Sequence, residues 1–385
     1  AIGIWAGVAG AGGLVGMFVS AFAVDALSWR WLYALPIVLV AIAFAVALRN
    51  VPNSSEDCEH PFDLLGSVLS ALAIGGLVLG IHEGPERGWG STLTVAGLVV
   101  GIAALVAFVV WELRHPDPLL DVRTFSNRGL ASGALTMMLV FAVMFGIFRV
   151  LFPYFQAVLG WSALHAAVSM LPMAALMMPA SALAPRLAKR IGTRSTMLSG
   201  LVIGAAGLGM LAVFASVEGG YLSVLPGLLV IGLGLGITMT PSTEAITESL
   251  PVEKQGVASA LNDTSREVGG ALGVALLGSI LSAGYQDAIA PSLAGLPAEA
   301  AEVAREGIGG ALGVAGATGN LELLDAAQHA FVEGWVSSMW VGVAMIAAAF
   351  VFVLVRGPRK GDDVITVRDI DRDDAEVDAT DRVLA

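Results

Sequence analysis

The chain is organised as long apolar segments separated by short polar connections. Each segment is continuous rather than alternating, and each is long enough to cross roughly 30 Å of hydrocarbon. Because only helices and closed barrels satisfy every backbone hydrogen bond in lipid, continuous runs of this length predict helices. The predicted spans cover residues 1–24, 31–48, 63–81, 91–112, 129–152, 162–184, 195–215, 222–246, 256–284 and 334–355.

The amino-acid composition also indicates that most of the chain is surrounded by lipid. Of 385 residues, 56% are hydrophobic and only 14% are charged, and the mean hydropathy is +0.81. A soluble domain carries about 25% charged residues. We therefore predict an all-α membrane protein, a polytopic helical bundle placed in the lipid bilayer of the cell membrane.

Basic residues are distributed unequally between the connections. Lys and Arg are retained in the cytoplasm, so an excess of them marks the cytoplasmic side. One set of alternate connections carries Arg49, Arg114, Arg123, Arg128, Arg186, Lys189, Arg190, Arg194, Lys254, Arg266, Arg356, Arg359 and Lys360. The other set carries Arg30, Arg87 and Arg305. We expect the first set to be cytoplasmic and the C-terminus to lie inside.

Two long segments are too polar to be spans. Residues 285–333 are predicted to form an outside loop with short helices at the membrane surface. Residues 358–385 are acidic and lack aromatic side chains, which predicts a disordered cytoplasmic tail.

Motifs of several enzyme classes are absent from the sequence. It contains no GxxxxGK[ST] loop, HExxH or GxSxG motif, and no basic surface interleaved with aromatics. The single cysteine, Cys58, excludes an internal disulfide, and the cluster Glu56–His60 is interpreted as a solvated acidic loop rather than a metal site. We expect no enzyme activity, cofactor, metal, nucleotide or nucleic acid. A transporter driven by an ion gradient is the simplest remaining interpretation.

The first segment carries a spaced set of glycines. Gly3, Gly12 and Gly16 match a signature of Gly, eight residues, Gly, three residues and Gly-Pro, although Met17 stands where the signature has Pro. The following Gly-Gly of that signature is replaced by Ser20 and Ala21. This signature belongs to the antiporters of the major facilitator superfamily, and the opening segment resembles their fifth helix.

Further motifs resemble the fourteen-span drug:proton antiporters of that superfamily, the EmrB/QacA type. In chain order they are residues 28–36 (SWRWLYALP), 84–91 (GPERGWGS), 112–128 (ELRHPDPLLDVRTFSNR), 151–172 (LFPYFQAVLGWSALHAAVSMLP), 186–195 (RLAKRIGTRS) and 256–275 (GVASALNDTSREVGGALGVA). The last contains the C-terminal-half signature Asn262, Arg266, Gly269 and Gly270. The order of the motifs is more specific than any one of them.

The resemblance implies the major facilitator fold and a division into regions. Residues 1–62 would hold the last two helices of the N-terminal half, 63–115 two extra central helices, and 116–357 the six-helix C-terminal half. Ten of fourteen expected spans would then be present in an N-terminally truncated chain. The implied function is proton-coupled export of drugs or other amphipathic small molecules along a path between the two halves.

Four further residues are substrate-path or coupling candidates: Arg149, Tyr154, Gln156 and Glu244. Arg149 near a span end either lines the path or snorkels to the interface. Tyr154 contacts substrate at an outer gate or anchors the interface, and Gln156 lies beside it. Glu244 is the most interior carboxylate, although the coupling acid could also lie in helices that the sequence lacks.

Small residues four apart predict close helix contacts, because membrane helices associate through tight packing. Such pairs are Gly3/Gly7, Gly12/Gly16, Gly200/Gly204, Gly232/Gly236 and Gly269/Gly273. Two other functions stay open from the sequence: export of one endogenous metabolite, such as a siderophore, antibiotic or lipid, and a non-transporting membrane scaffold.

Overall fold

The computed structural model describes residues 16, 18–24, 28, 30–50, 63–115, 122–251 and 254–358. Gly3, Gly12 and Met17 lie outside the described residues, as do the Glu56–His60 cluster and residues 359–385. Only part of the first predicted span is described, and residues 18–24 of it are helical.

The described chain is helical and contains no strand. Its α-helices are α1 Trp31–Asn50, α2 Leu64–Arg87, α3 Thr92–Glu112, α4 Arg128–Pro153, α5 Ala163–Val168, α6 Leu171–Ile191, α7 Thr193–Phe214, α8 Gly220–Thr247, α9 Gln255–Ile289, α10 Ala298–Glu306, α11 Ile308–Thr318 and α12 Leu321–Arg356. Within this part, nine helical segments have the length and apolar composition needed to cross a membrane. The predicted all-α, multi-pass membrane architecture is confirmed.

Six helices, α4, α6, α7, α8, α9 and α12, pack into one bundle. Its interior is filled by large side chains such as Trp335, Tyr154 and Met197, all fully buried. The α2–α3 hairpin packs against the outside of α9. The described side chains of α1 are exposed or half-exposed along its whole length.

Glycines determine how closely the bundle helices approach one another. A Cβ added at Gly273 of α9 would collide with the carbonyl of Ala142 on α4. Added at Gly200 of α7, it would lie 2.9 Å from the carbonyl oxygen of Gly234 on α8. Added at Gly236 of α8, it would collide with a carbonyl of α6. The predicted close contacts are therefore present on α7, α8 and α9.

The contact predicted for Gly16 is not seen in the described part of the chain. A Cβ added there would meet no described atom within 4 Å. A close glycine contact instead joins α2 to α3, where a Cβ at Gly76 would lie 2.7 Å from the amide nitrogen of Gly101. The role of such a contact in the first predicted span stays a prediction.

The boundaries predicted for the long connection after α9 were wrong. Helix α9 continues to Ile289 and α12 begins at Leu321, so the connection is shorter than residues 285–333. Asn320 caps α12 by accepting a hydrogen bond from the Leu323 amide at 3.0 Å. The polar first turns of α12 resemble a loop in sequence, but they bury Leu323, among other residues, against the bundle.

Two short helices, α10 and α11, lie within this connection, as predicted. They are not simply surface helices, because Ala304 and Ala311 are completely buried. The hydroxyl of Tyr285 donates to the Ala304 carbonyl at 2.9 Å, which ties α10 to the end of α9.

The connections rich in basic residues meet at one end of the bundle. The Ser249 hydroxyl at the end of α8 donates to Asn127 at the start of α4, at 3.2 Å. Arg194 at the start of α7 donates to the Leu354 carbonyl near the end of α12. We call this the basic end. Among the described residues, the start of α4 thus lies beside the end of α8, and the start of α7 beside the end of α12.

Candidate transport face on helices α4, α8 and α9

One stripe of α4 stays uncovered by the bundle. Helix α8 packs on one flank, where a Cβ at Gly133 would lie 2.7 Å from the Ser242 carbonyl oxygen, and α9 packs on the other through Gly146. Between these flanks lies a stripe spaced by three or four residues, which places its members on one helix face. It consists of Phe145, Phe148, Arg149 and Phe152, with Gln156 in the turn after α4. Phe141 precedes them on the same face but is buried, at 2% exposure. We call this stripe, with the adjoining parts of α8 and α9, the open face.

Helix α9 brings the polar part of its signature to this face. The Thr243 hydroxyl on α8 donates to the side-chain oxygen of Asn262 at 3.4 Å, and Asn262 is buried. The Arg266 guanidinium lies 4.5 Å from the ring centre of Phe141 and 3.6 Å from the carboxylate of Asp263. A cation over an aromatic face is attracted by the ring quadrupole. These contacts join α4, α8 and α9 at one level.

The two glycines of the signature, Gly269 and Gly270, allow α9 to approach α4 closely. A Cβ added at Gly269 would collide with the backbone carbonyl of Met138, and one at Gly270 would lie 3.4 Å from the Phe145 ring. Because α9 has no side chains at these positions, it can approach α4 closely enough for Arg266 to reach Phe141. The four signature residues are thus brought together by the structure, whereas their role in transport stays a prediction.

Arg149 lies on the open face and is exposed. The nearest glycine of α9 is Gly278, whose added Cβ would lie 3.8 Å from the Cγ of Arg149. No carboxylate of the described residues lies within 4.0 Å of its guanidinium. The side chain occupies the face predicted for a substrate path, and both interpretations of Arg149 remain open.

Tyr154 is placed differently from the sequence-based expectation. It is 0% exposed, and its hydroxyl donates to the carbonyls of Ser216 at 2.9 Å and Gly220 at 3.1 Å. Its ring also packs at 5.1 Å from that of Trp335. In this structure Tyr154 joins α4 to the α7–α8 connection, and contact with substrate would require these bonds to break.

Gln156 is exposed on the open face because the helix widens at this point. A π-turn over Tyr154–Val158 follows Pro153, which has no N–H to donate. This wider turn carries Gln156 outward while its neighbours Tyr154 and Phe155 stay buried. Gln156 is thereby exposed while Tyr154 is buried, and the role of Gln156 in substrate contact stays a prediction.

Glu244 is half-buried on α8, one turn after Thr240. The Thr240 hydroxyl pairs with that of Ser181 on α6 at 2.7 Å, and Lys189 of α6 acts on Glu244 at longer range. Glu244 lies towards the basic end, whereas Arg149 is 21 residues beyond Arg128, about 31 Å along α4. The structure therefore does not bring Glu244 and Arg149 together.

Sequence reasoning missed the aromatic stripe of the open face. Its signal is present in the segment FAVMFGIFR, Phe141 to Arg149, where Phe recurs after four and then three residues. In a helix this spacing aligns the rings, but it is also the spacing of an ordinary buried face. Only the packing of α8 and α9 on either side shows that this face is left uncovered.

A second polar cluster lies at the base of the α2–α3 hairpin, where Asp63 directly precedes the first residue of α2. Asp63 caps α2 by accepting from the Gly66 amide at 2.8 Å, and the Trp111 indole donates to both of its oxygens at 3.1 and 3.0 Å. Burial raises the pKa of Asp63, but these hydrogen bonds outweigh it and hold the pKa below its usual value. The cluster therefore fixes a charged carboxylate between the two helices.

Asp63 is expected to make hairpin stability depend on acidity. Its folded pKa is depressed, so its stabilisation is present above the unfolded value of about 3.9 and is lost as pH falls through the folded value. Asp63→Ala should cost about 1 kcal/mol from the lost helix cap. The check is thermal unfolding of the purified protein as a function of pH.

The control for this prediction is Glu322→Gln, which removes an exposed carboxylate from the first turn of α12. Asp63→Asn should flatten the acid limb of the stability curve, while Glu322→Gln should not. Identical acid limbs for wild type and Asp63→Asn would remove Asp63 from this role.

Comparison with known proteins identifies similar chains. A sequence profile described as Major Facilitator Superfamily matches residues 62–274. The chain is 32% identical over 352 residues to the multidrug efflux pump LfrA of Mycolicibacterium smegmatis, covering 91% of this chain and 69% of that protein.

Two further relatives share slightly lower identity. The multidrug resistance protein Stp of Mycobacterium tuberculosis is 29% identical over 293 residues, covering 76% of this chain and 54% of Stp. The tetracenomycin C resistance and export protein of Streptomyces glaucescens is 29% identical over 290 residues, covering 74% of this chain and 53% of that protein. The chain thus spans about half the length of these two relatives.

Proposed function

This chain belongs to the Major Facilitator Superfamily, and from that premise we propose that the protein exports drugs or other hydrophobic and amphipathic small molecules in exchange for protons. Transport would proceed by alternating access, with substrate bound between two groups of helices. The open face would form one wall of that path.

The observation that carries the proposal is the charged and polar content of the open face. Charged side chains within membrane helices are costly and mark ligand or ion paths by default. Here Arg266 and Asp263 pair on α9 with side chains 33% and 58% exposed, and Arg149 is exposed on α4. A scaffold that only packed helices together would have no use for this arrangement, so the scaffold alternative is disfavoured.

The relatives support the same substrate class. Their names describe multidrug efflux, multidrug resistance, and resistance to and export of tetracenomycin C. We extend drug export to this chain as a proposal, together with the fourteen-span type that its motifs resemble. Export of a single endogenous metabolite has no specific observation in its favour.

The orientation is part of the proposal. The basic end carries most of the Lys and Arg of the connections, and such residues are retained in the cytoplasm. We propose that this end, with the C-terminus after α12, faces the cytoplasm. Arg149 and Gln156 would then lie nearer the outer half of the path.

Proton-driven dye efflux tests the proposed function. The intact protein in proteoliposomes should move ethidium only while a proton gradient is imposed, and a protonophore should abolish this movement. Ethidium transport that persists without the gradient would contradict proton coupling. If a wide substrate panel yields one transported metabolite only, the protein is a dedicated exporter, and if nothing is moved, the transporter assignment fails.

A further inference from the structure

Arg149 is an exposed cation of the open face with no carboxylate partner in the described part of the chain. Among the described residues no carboxylate lies within 4.0 Å of it, whereas Arg266 already has Asp263 at 3.6 Å. A guanidinium presents planar, forked donors that match the two oxygens of a carboxylate or sulfonate. Electrostatically, this half of the face is therefore complementary to an anion.

The surface next to Arg149 is aromatic. The ring centres of Phe141 and Phe145 are 6.1 Å apart, and those of Phe145 and Phe148 are 6.5 Å apart. Phe145 is 43% exposed, although it is flanked by packed helices on both sides. Ligand sites are typically lined by aromatic side chains with a few polar groups that fix orientation. The exposed ring of Phe145 beside the guanidinium of Arg149 provides one aromatic and one polar group of such a site.

The two features are held at a fixed distance by one helix. Phe145 and Arg149 are four residues apart on α4, so they are neighbours on the same face. Both lie against glycines of α9: a Cβ added at Gly270 would be 3.4 Å from the Phe145 ring, and one added at Gly278 would be 3.8 Å from the Cγ of Arg149. A planar ring on Phe145 and an acidic group on Arg149 can therefore be contacted by a single small molecule.

We propose that the open face selects small molecules that combine an aromatic ring with an anionic group, a carboxylate or a sulfonate. The ring stacks on Phe145 and its neighbours, and the anion is bound by Arg149. This inference rests on the proposed export function and names one substrate class within it, so that cations such as ethidium would be exported without a contact to Arg149. The same anionic chemistry could be supplied by a carboxylate on another helix of the protein, and the experiment separates these two sources.

The test uses two probes that share a ring and a chain and differ in charge: pyrenebutyrate and a pyrenebutyl ammonium salt. Export of each is measured with the intact protein in proteoliposomes under a proton gradient. The variants are Arg149→Gln, Arg149→Lys and, as a matched control, Arg305→Gln, which neutralises an exposed arginine of α10.

The expected result is selective. Arg149→Gln should raise the KM for pyrenebutyrate by about tenfold or more, which corresponds to about 1.4 kcal/mol. The ratio of pyrenebutyrate export to ammonium-probe export should therefore fall in this variant. Arg149→Lys should retain part of the anion transport, because lysine keeps the positive charge but lacks the forked donors of the guanidinium. Arg305→Gln should behave as wild type with both probes.

Three outcomes would overturn the inference. If Arg149→Gln exports both probes like wild type, Arg149 has no part in recognition. If it folds normally but loses both probes, Arg149 pairs with a carboxylate of the protein. If wild type exports the ammonium probe or ethidium and not pyrenebutyrate, the substrate class is wrong while the export function stands. Loss of all gradient-driven export in wild type would instead be a failure of the proposed function.

Discussion

Gly273→Ala is expected to loosen the α4–α9 pair, even though alanine is the better helix former by about 1 kcal/mol in water. The added methyl would collide with the carbonyl of Ala142, which is backbone and cannot rotate away. Overpacking of this kind typically costs about 1–3 kcal/mol, so the steric term outweighs the propensity gain. Gly273→Leu should yield almost no folded protein.

Thermal unfolding and gel filtration of the purified intact protein provide the measurement. Gly278→Ala is the matched control, because it lies on the same helix and its methyl would be 3.8 Å from the nearest Arg149 atom, an ordinary contact. Gly256→Ala, whose methyl would meet no described atom within 4 Å, is the second control. If all three alanine variants unfold at the wild-type temperature, the α4–α9 crossing is looser than described here.

Arg266→Gln is expected to reduce export by about tenfold or more, corresponding to about 1.4 kcal/mol, while lowering stability only modestly. The cation–π contact with Phe141 contributes about 0.5–2 kcal/mol. The ion pair with Asp263 contributes less than about 1 kcal/mol, because the two side chains are 33% and 58% exposed. The larger loss is therefore predicted for transport, since the change leaves the Asp263 charge unmatched on the open face.

The companion variant Asp263→Asn distinguishes the two effects. The Arg266→Gln/Asp263→Asn double variant should regain the folded yield of wild type, because it leaves no unmatched charge. It should not regain export if Arg266 acts on substrate or protons. Proton-driven ethidium efflux, normalised to folded protein, is the measurement. Full export by Arg266→Gln would show that the α9 signature arginine serves packing alone.

The segments predicted as spans agree with the observed helices because length and apolarity are properties of each segment alone. A run such as residues 91–112 is long enough to cross a membrane whatever surrounds it, and α3 occupies Thr92–Glu112. The close contact at Gly273 was also foreseeable, because a missing side chain permits close approach by whichever helix comes next to it.

Other features depended on partners distant in sequence. The start of α12 at Leu321 was missed because its polar first turns are stabilised by burial of Leu323 and Ala327. The sequence left Tyr154 as either a gate residue or an interface anchor, and it did not indicate that its hydroxyl binds the α7–α8 connection, 62 residues away. Local patterns contain no information about such contacts.

By itself, the sequence determined that this protein is a multi-pass helical membrane protein, which connections are rich in basic residues, and which family its motifs resemble. The helical spans follow from the cost of burying polar groups in lipid, because this cost acts on each segment independently. Only the tertiary structure decided that the stripe from Phe145 to Gln156 is uncovered, that Arg266 is paired, and that Arg149 has no carboxylate partner among the described residues. Those properties depend on the packing of α8 and α9 against α4. The exposure and charge pairing of a side chain on α4 are set by residues of other helices, which the sequence of α4 does not specify.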